Sequence, residues 1–291
     1  MRPWPDPIVE VIKRRRSCRT YAKTAIALEQ IRQVETFIES WQCGPLGNAL
    51  RFQLVVAREQ DPHALQGLGS YGFIKDPAGF IVGAVGPGEK NLEDFGFVMQ
   101  AVILYATSLG LGTCWLGGSF TQSSFSQRIH AAQEEIVPAV ASIGYPAAEG
   151  RVRTMMRRYI QADSRRPWET LFFRSRFGVP LTEESAGAYA SPLAMVRLAP
   201  SASNRQPWRV VVNDTGLHFY LQRARAPQRG NPVFKLLRLA DLQRVDIGIA
   251  MCHFQLTAEE LGLRGKWLVR EPAIEKPDAT AEYVVTWMDE S

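Results

Sequence analysis

The chain has 291 residues, 46% of them hydrophobic and 22% charged, an ordinary globular composition with enough length for one large core or two modest ones. No apolar run approaches a membrane-spanning length, and the N-terminal MRPWPDPIVEVIKRRRS lacks the continuous apolar segment of a signal peptide, so a cytoplasmic protein with no membrane partner is expected. A net charge of +5 leaves nucleic acid open, but no zinc-finger, RRM or KH pattern accompanies the arginine clusters, and nucleic acid is set aside.

In chain order, hydrophobic periodicity predicts helices over about 7–16 and 28–41, a strand over 51–57 and a second over 79–86. A long helix over 92–109, a short helix near 123–133 and a strand over 137–144 complete the first half. In the second half, strands at 208–213 and 217–222 precede another long helix, and AEYVVTWM closes the chain. Cys18, Cys43, Cys114 and Cys252 are scattered without a CxxC pair, and His63, His130, His218 and His253 are equally dispersed, so no metal site is expected. No GxGxxG follows a strand and no Walker A pattern is present, which removes a Rossmann dinucleotide site and a P-loop.

Internal symmetry sets the organisation. DFGFVMQAVILYATSLGLGTCW (94–115) and DIGIAMCHFQLTAEELGLRGKW (246–267) share nine identities in 22 positions at one constant offset, among them Asp94/Asp246, Gly96/Gly248 and Trp115/Trp267. Both read as a long apolar helix closed by glycine, with a strand soon after. Asn48 and Phe52 before QLVV echo Asn204 and Trp208 before RVVV, and Arg16-Ser17 is echoed by Arg174-Ser175. Segments repeated in the same order imply a duplicated unit, with a division expected at residues 1–160 and 161–291, the second copy being degenerate. The expected fold is α+β, two mixed sheets flanked by helices that form a pseudo-dimer within a monomer.

RRRSCRTY after an amphipathic helix, PSASNRQPW before a strand and LGLGTCWLGG after the central helix together resemble the nitroreductase family, and within it the subgroup with two nitroreductase-like halves in one chain. That resemblance implies FMN in a seam touched by both halves. It places Arg15, Ser17 and Arg19 on the dianionic phosphate, with Arg157 and Arg158 as helpers, because a guanidinium offers charge and a planar fork of donors. Trp115, Leu116, Gly117 and Gly118 would line the flavin ring, which glycine lets approach closely. Pro200, Ser201, Ala202, Ser203 and Asn204 would reach across from the second half to its polar edge, and Lys75 stands where the family often has a flavin-facing polar residue.

The second pocket is expected to have decayed, with Phe177 in the place of Arg19, Arg270 in that of a glycine, and GPLGN lacking the serines of its counterpart. One FMN per chain is therefore expected. The implied activity is hydride transfer from NAD(P)H to a nitroaromatic, quinone or related acceptor by a ping-pong scheme, and no side chain is singled out as acid or base. The resemblance also admits dehalogenation and flavin fragmentation, and a flavin- or ligand-binding protein without turnover is the alternative.

Overall fold

The computed structural model describes residues 4–70, 72–118, 120–147, 164–223 and 240–290. Helix α1 (Ile8–Arg14) starts directly after Pro7, and its first free amides are met by a distant carboxylate: Ile8 N donates to Glu260 Oε1 at 2.6 Å. Helix α2 (Leu28–Glu39) buries Ile31, Val34, Phe37 and Ile38, the single apolar stripe expected of a surface helix. Strands β1 (Leu50–Val56) and β2 (Gly79–Val85) pair antiparallel, followed by α3 (Asn91–Ser108), β3 (Gly112–Leu116), α4 (Gln122–Arg128) and β4 (Val140–Gly144).

These strands form one sheet in the order β1-β2-β4-β3. Its ladders are antiparallel, and a parallel bridge from Ser17 to Thr113 lays the segment after α1 along the free edge of β3. Helix α4 is shorter than its sequence pattern, because the chain turns left-handed at His130 (φ 51°).

Strand β5 (Phe172–Arg174), helix α5 (Ala190–Leu198), β6 (Trp208–Asn213), β7 (Gly216–Gln222), α6 (Leu242–Glu260), β8 (Gly265–Leu268) and β9 (Ala281–Asp289) follow. The second sheet runs β5-β6-β7-β9-β8, with β5 and β6 parallel and the other pairs antiparallel. Without β5 its order repeats that of the first sheet, so the repeat read in the sequence is a repeat of topology. The division expected at 160/161 falls outside the described residues, between the last strand of one sheet and the first of the other.

Helices α3 and α6 are buried nearly all round and cross at equivalent glycines. A Cβ on Gly96 would stand 2.2 Å from Val245 O, and one on Gly248 would stand 1.9 Å from Glu93 O. Only hydrogen at these two positions lets the backbones approach so closely. Arg244 of α6 adds a charged clasp to Glu93 of α3, with Nη2 to Oε2 at 2.6 Å. One apolar cluster consequently runs from the first sheet through both helices to the second.

One expectation is overturned. Arg174-Ser175 is not the structural counterpart of Arg16-Ser17: Ser17 lies beside β3, whereas Ser175 N donates to Val212 O at 2.7 Å, on the opposite edge of the second sheet. Phe177 therefore does not occupy the place of Arg19; its ring packs on Tyr220 at 4.9 Å. Two residues of identity carried no register, and the parallel pairing of β5 with β6 set it instead.

Candidate functional site

The segment after α1 is drawn out straight because its backbone groups are taken on both sides. Cys18 N donates to Thr113 O at 2.8 Å, Lys75 N to Arg19 O at 2.8 Å, and Tyr21 N to Lys75 O at 3.0 Å. Arg15 caps α1 and is only 7% exposed, while Ser17 and Arg19 are half-buried along the β3 edge. Two guanidinium groups thus stand beside one strand, and the Cys114 thiol registers both: burial pushes its pKa up, while the charges of Arg19 and then Arg15 pull it down. Lys75 is bridged to Thr20, so it lies beside this basic segment, with its side chain exposed.

Trp115 and Leu116 close β3, and the chain leaves the sheet through Gly117 and Gly118. Space beside Gly118 is open, with no atom within 4 Å of where a Cβ would be. A Cβ on Gly117 would meet Leu242 Cδ1 at 2.6 Å, so the first residue of α6 rests on that glycine. One turn further along α6, Asp246 Oδ1 accepts from Ala202 N at 2.9 Å. Spacing of four residues places Leu242 and Asp246 on one face. The opening of α6 therefore joins Gly117 of the first half to the 200–204 loop of the second.

Trp115 is fixed by a buried chain that crosses the same boundary. Its indole Nε1 donates to Gln100 Oε1 at 2.9 Å, and Gln100 Nε2 lies 2.9 Å from His253 Nε2. His253 Nδ1 lies 2.8 Å from Met195 O, a group that only accepts, so Nδ1 carries the proton and Nε2 accepts from Gln100. Burial pulls the His253 pKa down to about 3, and this neutral tautomer is the one the chain requires. Sequence reasoning passed over Gln100, His253 and Leu242; no local pattern marks them, since each matters through a neighbour from the other half.

Within the 200–204 loop much of the bonding capacity is already used. Ser201 Oγ accepts from Gln206 N at 2.9 Å, and Asn204 Nδ2 donates to Ser164 O at 3.0 Å. Ser203 is exposed at a left-handed φ of 51°, and its hydroxyl has no partner among the described residues. Pro200 is half-buried behind it. The equivalent first-half loop is closed on itself: Asn48 Nδ2 bonds Asp94 Oδ2 and Glu89 O, both at 2.8 Å. Arg157 and Arg158 lie outside the described residues.

An anionic ligand with a flat ring suits this arrangement: Arg15, Ser17 and Arg19 provide cations and a hydroxyl along the edge of β3, and Gly118 leaves room for a plane just beyond its end. Two cavities bounded by described residues lie elsewhere, one of about 270 Å³ between Trp4–Ile8 and the end of α6, the other of about 420 Å³ at Gly262–Gly265. Neither touches these residues. Among the described residues no group of His, Cys, Asp or Glu could hold a metal ion, and no helix is long and apolar enough to cross a membrane.

Residues 7–258 match the family described as "Putative TM nitroreductase". A "Putative NADH dehydrogenase/NAD(P)H nitroreductase" of Methanothermobacter thermautotrophicus is 28% identical over 159 residues, 51% of this chain and 82% of that protein. A crystal structure described as a "putative nitroreductase" from Thermotoga maritima aligns over 96% of this chain and 94% of its own, at 20% identity and a TM-score of 0.58. A Bacteroides fragilis nitroreductase solved with bound FMN covers 50% of this chain and 92% of its own, at 19% identity and a TM-score of 0.37.

Proposed function

The chain belongs to the nitroreductase family, and from that premise we propose that it is an FMN-dependent NAD(P)H oxidoreductase, a single-chain pseudo-dimer of halves 1–160 and 161–291, with one flavin site at the seam. The observation that carries the reading is the opening of α6. Leu242 sits on Gly117 and Asp246 holds Ala202, so the strand bearing the cationic end and the loop from the other half are fastened to one helical turn.

Arg15 and Arg19 would take the phosphate, with Ser17 donating from between them, and Arg157 and Arg158 would assist. Gly118 would admit the ring, Gly117 being covered by Leu242, and Ser203, with Ser201 and Asn204 if they exchange their present partners, would meet its polar edge. Pro200 and Ala202 shape the loop that presents them. When bound, FMN supplies two-electron chemistry between NAD(P)H and a nitroaromatic, quinone or related acceptor. The residues here bind and orient, and none is assigned a proton.

A single site follows from three features. Among the described residues the second half has no helix in the place of α1, because the chain there forms β5 on the far edge. Asn48 is committed to Asp94 and Glu89. The Tyr283 hydroxyl accepts from Arg270 N at 3.1 Å and donates to Leu268 O at 3.1 Å, closing the backbone where the second ring would rest.

Titration of FMN into apoprotein, read by quenching of flavin fluorescence, tests this directly. One equivalent bound per chain, bleached by NADPH without oxygen and re-oxidised by a quinone, is the expected result. Binding without bleaching would leave a flavin-binding protein without turnover; absence of binding would end the proposal.

A further inference from the structure

Four arginines converge immediately beyond the 200–204 loop. Arg166 Nε donates to Arg205 O at 3.3 Å, Arg197 Nε donates to Arg166 O at 2.8 Å, and Arg209 Nη1 folds back onto Gln206 O at 3.1 Å and Trp208 O at 2.6 Å. The strands of chain that carry them are stitched together: Arg166 N donates to Gln206 Oε1 at 2.8 Å, and Gln206 Nε2 donates to Ser164 O at 3.3 Å. Three guanidinium groups thus lie on the backbone of residues 166 and 205–208, where Arg205 also stands.

None of Arg166, Arg197, Arg205 and Arg209 has an acidic partner among the described residues, whereas Arg14, Arg51, Arg58, Arg128, Arg223 and Arg244 each do. The guanidinium groups of Arg166, Arg197 and Arg209 are spent on neutral carbonyls. Burial lowers the Arg209 pKa to about 10 and the charge of Arg166 adds to it, so these two cations lie within reach of each other. Like charges so placed repel one another, and an anion set among them gains from every one. Arg166 and Arg205 are exposed and can meet a ligand from solvent.

We propose that Arg166, Arg197, Arg205 and Arg209 form a phosphate site for the nicotinamide donor, and that it selects the 2′-phosphorylated donor, NADPH, over NADH. The inference rests on the oxidoreductase reading for the identity of the ligand. FMN has a single phosphate, already allotted to Arg15 and Arg19 along β3. The pyrophosphate is common to both donors and carries one charge per phosphate. Three guanidinium groups, with exposed Arg205 on the same stretch of backbone, fit a further phosphate monoester, a dianion with three acceptor oxygens, and arginine's planar fork bonds it in pairs. Its position next to Asn204 lets a donor with its nicotinamide over the flavin extend its adenosine end across the loop.

The test measures binding of adenosine 2′,5′-bisphosphate and of adenosine 5′-phosphate to the FMN-loaded protein by calorimetry, with FMN affinity measured separately. The bisphosphate should bind about tenfold more tightly or better, the scale of added charge-assisted hydrogen bonds. In the exposed double variant Arg166→Ser/Arg205→Ser the ratio should fall to about twofold or less. Arg197→Ser should narrow it partway, and FMN affinity should stay the same in both variants. Equal binding of the two nucleotides by the unaltered protein would overturn the proposal, as would a ratio that survives the double variant, or FMN affinity falling in step, which would give the cluster to the flavin phosphate. Failure of FMN itself to bind would overturn the oxidoreductase reading, while the two nucleotides, titrated against the protein as purified, would still decide whether the cluster selects a 2′-phosphate.

Discussion

Asp94 and Asp246 hold the same position on the two crossing helices and are served unequally. Asp94 receives Leu46 N at 2.8 Å, Asn48 N at 2.9 Å and Asn48 Nδ2 at 2.8 Å. Among the described residues Asp246 receives Ala202 N alone, and its buried Oδ2 has no partner. The Asn that would complete it, Asn204, has turned to Ser164. Symmetry between the halves has been broken at the loop assigned to the cofactor.

Burial pushes the Asp246 pKa well above its ordinary value of 3.8. The folded protein holds that proton where the unfolded chain releases it, so this group's contribution to stability is full below about pH 4 and declines as pH rises toward the folded pKa. Asp246→Asn should therefore raise stability at pH 7.5 by about 1–3 kcal/mol, the cost of a buried unpaired group, with the gain vanishing toward pH 4. Asp94→Asn should instead lose about 1–3 kcal/mol, because an amide NH₂ would face the Asn48 donors. Urea unfolding at several pH values measures both.

Gly96→Ala and Gly248→Ala each place a methyl group against a carbonyl oxygen of the partner helix. Each should cost about 3 kcal/mol, at the upper end of overpacking penalties, and lower Tm by roughly 6–12 °C. A change of less than a degree in thermal unfolding would show that the crossing is not where the backbones touch.

Gly118→Ala is the complementary case: nothing stands near its Cβ position. Stability should be unchanged, and FMN should bind at least about tenfold more weakly, equivalent to 1.4 kcal/mol of lost ring contact. Arg19→Ala should cost FMN affinity about 1.5–3 kcal/mol, the worth of a hydrogen bond to a charged group. Fluorescence titration reads both, and unaltered affinity in the two variants would move the flavin away from β3.

His253, with its pKa pulled to about 3, is neutral in the fold and protonates in the unfolded chain below its ordinary value of 6.5. Its contribution to stability is complete above about pH 6.5 and is lost as pH falls through the window between those values, by up to about 1.4 kcal/mol per pH unit. Comparison of His253→Gln with the unaltered protein between pH 7 and pH 4 should show a shallower acid slope in the variant.

The sequence by itself determined the paired long helices, the strands that follow them and the repeat, because these depend on local periodicity and on glycines that recur at a fixed spacing. Gly96 and Gly248 were visible as identities, and their meaning as a crossing came only with the fold. Helix α5 and strand β5 were not legible: α5 is apolar on nearly all sides, and β5 is three residues long and defined by its parallel neighbour.

The tertiary structure alone decided what spends each polar group. Ser17 and Ser175 belong to the same Arg-Ser dipeptide and end on opposite edges of their sheets. Asn48 and Asn204 share a motif and bond different partners. Arginines scattered from 166 to 209, none with an acidic partner among the described residues, came together only when the chain between them folded back. Hydrogen bonds and Coulomb forces act over a few ångströms of space, and residues tens of positions apart come within that range only through the path of the folded chain.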